Sequence, residues 1–98
     1  MSDNLHLTID DKPFDLWQTP THITYMCMTT DDGVVNDRLH GANAKAAIAR
    51  YIAWVESHKD GVFESAEAAG ARRQIVNDHI NAIRQRIEKA KRVVVYMM

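Results

Sequence analysis

Cys27 and His22 are the first pair in this chain able to supply a nucleophile and its base. The stretch that holds them, His22 to Thr30, is rich in threonine with an isoleucine and a tyrosine and reads as a strand, although the threonine and proline just before it are also how a helix begins. Strand positions five apart point to opposite faces, so the two side chains do not meet within one element. Cys27 also lies inside the apolar run Tyr25 to Met28, where a small buried thiol is the expected state, and no third residue is placed to orient a base.

The other candidates for chemistry are weaker. His6, His22, His40, His58 and His79 lack the adjacent-turn spacing of a metal site and have no Cys-x-x-Cys partner, so no metal and no cofactor is expected. Asp31, Asp32 and Asp37 surround Gly33 without the alternating acids or the closing glutamate of a calcium loop, and they read as turn chemistry. Glycine-rich phosphate loops and Gly-x-Ser-x-Gly are both missing. An enzyme would have to be assembled from scattered groups such as His22, Asp31 and His79, and the sequence assigns no catalytic residue.

Binding chemistry is better represented. Arg73, Arg84 and Lys91 fall on one flank of a long helical pattern, separated by roughly 16 Å and 10 Å along the axis, a reach suited to phosphates. Against that, Arg72, Arg86, Lys89 and Arg92 point elsewhere, and cations near a helix C-terminus complement its dipole. Trp54, Tyr96, Met97 and Met98 are residue types favoured at protein interfaces, and Arg72 and His79 border the apolar stripe of the same helix. A terminal strand left unpaired could add to a partner's sheet or to a second copy of the chain.

Positioning these groups falls to a small set of elements. Leu5, Leu7 and Ile9 alternate with polar residues, Asp10 to Pro13 supplies a turn, and Phe14 and Leu16 alternate again, which predicts a hairpin with one buried face. Asp31-Asp32-Gly33 predicts a turn, and Val34 to His40 an irregular segment or short strand. Asn43 is a plausible N-cap for a helix to about Ser57, closed near Gly61. Its apolar residues cover roughly 160° of arc, so the helix must touch two neighbours. Ser65 then caps a second helix whose Val76, Ile80, Ile83, Ile87 and Ala90 lie within roughly 80° of arc. Val93 to Met98 is β-branched and reads as a terminal strand.

Ninety-eight residues, 46% hydrophobic and 26% charged, predict one folded domain spanning 1–98. Residues 1–40, mainly β, carry seven aspartates against Lys12 and Arg38, whereas 41–98 hold ten basic residues against six acids. Internal neutralisation is the plainest use of that division, ahead of steering a polyanion. No run is apolar enough to span a bilayer, and the acidic, alternating opening is unlike a secretion signal. With a single cysteine, this favours the cytoplasm, or the host's cytoplasm if a phage encodes the chain.

The expected architecture is α+β: an N-terminal antiparallel hairpin or meander, two antiparallel helices on one face, and a C-terminal strand returning to the sheet. The expected function is a small non-enzymatic protein-interaction module, such as a bacterial or bacteriophage inhibitor or assembly factor, with another protein or a second copy as partner. Nucleic-acid binding through Arg73, Arg84 and Lys91 is the first alternative, and a small enzyme the second.

Overall fold

The computed structural model describes residues 4–28 and 38–97. Strands β1 (Leu5–Ile9), β2 (Lys12–Phe14), β3 (Arg38–His40) and β4 (Val93–Met97) form one antiparallel sheet in the order β2-β1-β4-β3. Helices α1 (Thr21–Met28), α2 (Gly41–Glu56) and α3 (Ala66–Lys89) complete an α+β fold, with a 3-10 turn at Ser57–Lys59. The expected turn at Asp31 to Gly33 lies outside the described residues, as do Asp37 and Met98.

Asp10 and Asp11 close the hairpin with φ of 52° and 66°. Positive φ at both turn positions gives the loop a twist that matches the flanking strands. Ile9 opposite Lys12 is then a hydrogen-bonded pair and Thr8 opposite Pro13 is not, so the proline, with no N–H, costs the ladder nothing. Asp10 also ties the two ends of the chain together. Its N–H donates to the Arg92 carbonyl, while its carboxylate accepts from the N–H groups of Lys91 and Arg92. The Arg92 guanidinium lies 3.4 Å from the Asp11 carboxylate, so acidic and basic halves of the chain meet at this joint.

β4 is a central strand. Val95 faces Leu7 on one side and Leu39 on the other, and these residues share the sheet face that also carries Leu5, Ile9 and Val93. All of them are buried. Ala44, Ala47, Ile48, Tyr51 and Val55 of α2 close over that face, with Val76, Ile80 and Ile83 of α3 completing one hydrophobic cluster. The wide stripe on α2 is accounted for by its neighbours, since α2 packs on β3, β4, α1 and α3 together. Ser65 caps α3 by accepting from the Ala68 N–H. No helix among the described residues is long and apolar enough to cross a membrane.

Two sequence expectations are corrected. His22 to Met28 is helix where a strand was expected, and 1–40 is therefore not simply β. The Pro20 carbonyl accepts from the N–H groups of Ile23 and Thr24 and from the Thr24 hydroxyl, and this anchored first turn outweighs the β preference of threonine and isoleucine. Thr24, Cys27 and Met28 then fall on one buried face at helical spacing. Secondly, α2 begins at Gly41, ahead of Asn43, because Gly41 takes φ of 55° and turns the chain directly from β3 into helix. β4 returns to the sheet as expected, and there it has both edges paired.

Candidate functional site

After Phe14 the chain leaves the sheet and crosses to the helical layer, carrying Trp17 with it. The Trp17 N–H donates to the Tyr51 hydroxyl at 2.7 Å, and that hydroxyl lies 2.9 Å from His79 Nε2. The Trp17 ring stacks on the His79 imidazole, with centroids 4.8 Å apart and planes 5° from parallel. His58 meets Trp17 edge-on at 5.6 Å and Trp54 edge-on at 4.5 Å. Phe14 touches His79 from the sheet side. The Arg72 guanidinium lies over Trp17 at 5.7 Å and that of Arg86 over Phe14 at 5.9 Å, within cation–π range.

Tyr51 is buried at the centre of this cluster. Burial pushes its phenol above the ordinary range, opposed in part by the Trp17 N–H and supported by nearby Cys27, so Tyr51 keeps its proton. Having accepted from Trp17, the hydroxyl still holds a proton it can give to His79 Nε2 when that ring is the neutral tautomer protonated on Nδ1. Burial lowers the His79 pKa from its ordinary value in the same sense.

A lowered folded-state pKa means that the unfolded chain binds the proton more readily. His79 therefore contributes stability that is fully present above about pH 6.5 and lost as pH falls through the folded pKa. Urea unfolding at pH 7.5 and pH 5 is expected to show lower stability at the acid pH, with His79→Gln removing that part of the difference. An equal pH response in the variant would contradict the assignment.

The sheet face opposite the helices holds a second aromatic row. Tyr96 is flanked across the strands by His6, stacked at 5.3 Å, and by Arg38, whose guanidinium lies 4.9 Å from the ring centre. Between this row and Trp17 the structure forks. β2 covers β1 only from Leu7 to Ile9, and where the chain turns away at Asp15 a notch of about 240 Å³ opens, lined by Leu5, His6, Phe14, Asp15, Trp17 and Tyr96 among others. A wider groove of about 510 Å³ lies between α2 and the end of α3, where Ile52, Ala49 and Ile87 are flanked by Lys45, Arg84 and Glu88.

Of the residues expected to meet a protein partner, the structure gathers Trp54, Arg72 and His79 around Trp17, and it places Tyr96 across the notch from them. Met97 belongs elsewhere. It shares the core face with Leu5 and packs, half-buried, against the cluster. Trp17, His58 and Phe14 were not singled out from sequence. Trp17 lies in an irregular segment where periodicity carries no information, although a tryptophan just outside a strand and ahead of Thr19-Pro20 was a usable signal.

Arg73 and Arg84 are exposed on α3, but Lys91 has left the helix, and this corrects the expected row of three. α3 ends because Ala90 is extended and the Asp10 carboxylate takes the next two N–H groups. Cys27 is fully buried on α1, and burial pushes its thiol up to about 11 despite the opposing charge of Arg50. His22 is exposed on the same helix, about 140° away around the axis. Asp31 lies outside the described residues, and no hydrogen bond or ring contact among the described residues joins His22 to His79. No group of three or more histidines, cysteines and carboxylates among the described residues could hold a metal ion. Comparison with family models, with curated proteins and with solved structures found no match to the chain.

Proposed function

We propose that this chain is a small non-enzymatic protein-interaction module, working in the cytoplasm, whose contact surface is the arginine-flanked aromatic cluster around Trp17. The observation that carries the reading is the fixing of Trp17. One residue of an irregular segment is held by a backbone hydrogen bond, an imidazole stack and an overlying guanidinium. Tryptophan and arginine dominate the energetics of protein interfaces, and a preset cluster loses little freedom when a partner packs against it. Its mode of action is occupation of a surface on another protein, as an inhibitor or assembly factor does.

The test uses the full chain as bait in its native host, beside an Arg72→Glu variant whose thermal unfolding matches the wild type. The expected outcome is a captured protein that forms a complex of defined mass by light scattering and is retained at least about tenfold less by the variant, as placing a like charge in an interface would produce. A mass of two chains would make a second copy the partner. Equal retention by both baits contradicts the reading. So does capture of nucleic acid alone, lost steeply as salt rises, which would favour the exposed Arg73 and Arg84 as phosphate contacts.

A further inference from the structure

We infer that the notch beside Leu5 is a strand-addition site for an extended acidic peptide. The inference rests on reading the chain as an interaction module and names where on it a partner would bind.

Backbone alternation makes the site. Ile9 and Leu7 form the hydrogen-bonded pairs with β2, so the odd positions of β1 direct N–H and C=O toward β2 and the even positions direct them toward β4. The bond from the Asp10 N–H to the Arg92 carbonyl follows the same rule. Leu5 therefore points its backbone donor and acceptor into the notch, two residues beyond the last β2 pair, and the described residues supply it with no partner there. Leu5 is only 4% exposed, so this is a recessed donor and acceptor pair at strand spacing, which another peptide backbone can complete.

Charge selects the occupant. Three of the rings that line the notch each carry a guanidinium: Arg38 on Tyr96, Arg72 on Trp17 and Arg86 on Phe14. No carboxylate among the described residues lies within ion-pair distance of any of the three. Asp15 is the one acid of the lining and is exposed. Arg38 lies on the sheet face away from the helices and Arg72 and Arg86 on the helix side, so an incoming strand with carboxylates on alternate residues aims them at Arg72 and Arg86, both already fixed over rings, and arginine is suited to hold carboxylates through paired N–H bonds. A nucleic-acid strand fits less well. The ring faces on which bases would stack are covered, those of Tyr96 by His6 and Arg38 and those of Trp17 by His79 and Arg72.

The test is amide NMR on the full chain with acetyl-Glu-Val-Glu-Val-Glu-Val-amide, its lysine counterpart, an analogue N-methylated at alternate residues, and an oligothymidylate. The glutamate peptide is expected to shift the Leu5 and His6 amides and the Trp17 indole, and to slow exchange of the Leu5 amide at least about tenfold. The lysine and N-methylated peptides should leave Leu5 unshifted, and Arg72→Glu with Arg86→Glu should weaken the glutamate peptide at least about tenfold. An unshifted Leu5 amide with the glutamate peptide overturns the site. Equal binding of the N-methylated analogue overturns it too, as does tighter binding of the oligothymidylate in the same notch. A host protein captured through Arg72 that leaves Leu5 unshifted would preserve the interaction module and overturn the notch alone.

Discussion

A chain ending at Arg92 is expected to lose its cooperative unfolding transition at room temperature. The deletion removes β4, which pairs with both β1 and β3, and so divides the sheet at its centre. Val93, Val94 and Val95 are all buried, and each such side chain contributes roughly 1.5 to 3 kcal/mol through burial. Their sum approaches the whole stability of about 5 to 15 kcal/mol available to a domain of this size. The remaining strands would be a hairpin whose second strand has three residues and an isolated three-residue segment ahead of α2, neither stable alone. Circular dichroism with thermal melting checks this. Retention of the full-length melting temperature and helicity would show that β4 is not the middle of the sheet.

Replacing Tyr51 by phenylalanine is expected to cost about 2 to 3 kcal/mol, well beyond the loss of one average hydrogen bond. The ring still fills its place in the core, so no cavity forms, yet one missing oxygen leaves two groups unsatisfied. The Trp17 N–H loses its acceptor and His79 Nε2 its partner, both within the half-buried cluster. Such a change corresponds to a fall of roughly 10 to 20 °C in melting temperature for a domain near one hundred residues. Urea titration with tryptophan fluorescence reports both the stability and the freeing of Trp17. A loss under about 0.5 kcal/mol would mean that the hydroxyl does not join these groups.

The elements with strong periodicity were legible. Alternation at Leu5, Leu7 and Ile9, the Ser65 cap, the α3 stripe and the valine-rich strand all express local rules that tertiary structure left intact. Residues 22–28 were misleading because β-branched content and a proline-anchored first turn pull in opposite directions, and packing of Thr24, Cys27 and Met28 against the core decided for helix. The insertion of β4 between β1 and β3 was not legible either. Pairing order is set by which faces must be covered together, and no single segment encodes it.

The site divides along the same line. Arg72 and His79 could be named because the α3 wheel shows them bordering the core stripe, and Trp54 because its residue type is favoured at interfaces. Trp17, at their centre, depends on a path from β2 to the helical layer that no period describes. The notch was out of reach for the same reason, since it exists only because β2 stops two residues short of Leu5.

Native-state hydrogen exchange on the free protein tests the sheet order and its open edge in one measurement. The amides of Leu7, Val94 and Val95, which donate to β2, β1 and β3 respectively, are expected to exchange slowly, near the global unfolding limit, while that of Leu5 exchanges faster by orders of magnitude. Protection of Leu5 equal to that of Leu7, or free exchange at Val94 or Val95, would contradict the account.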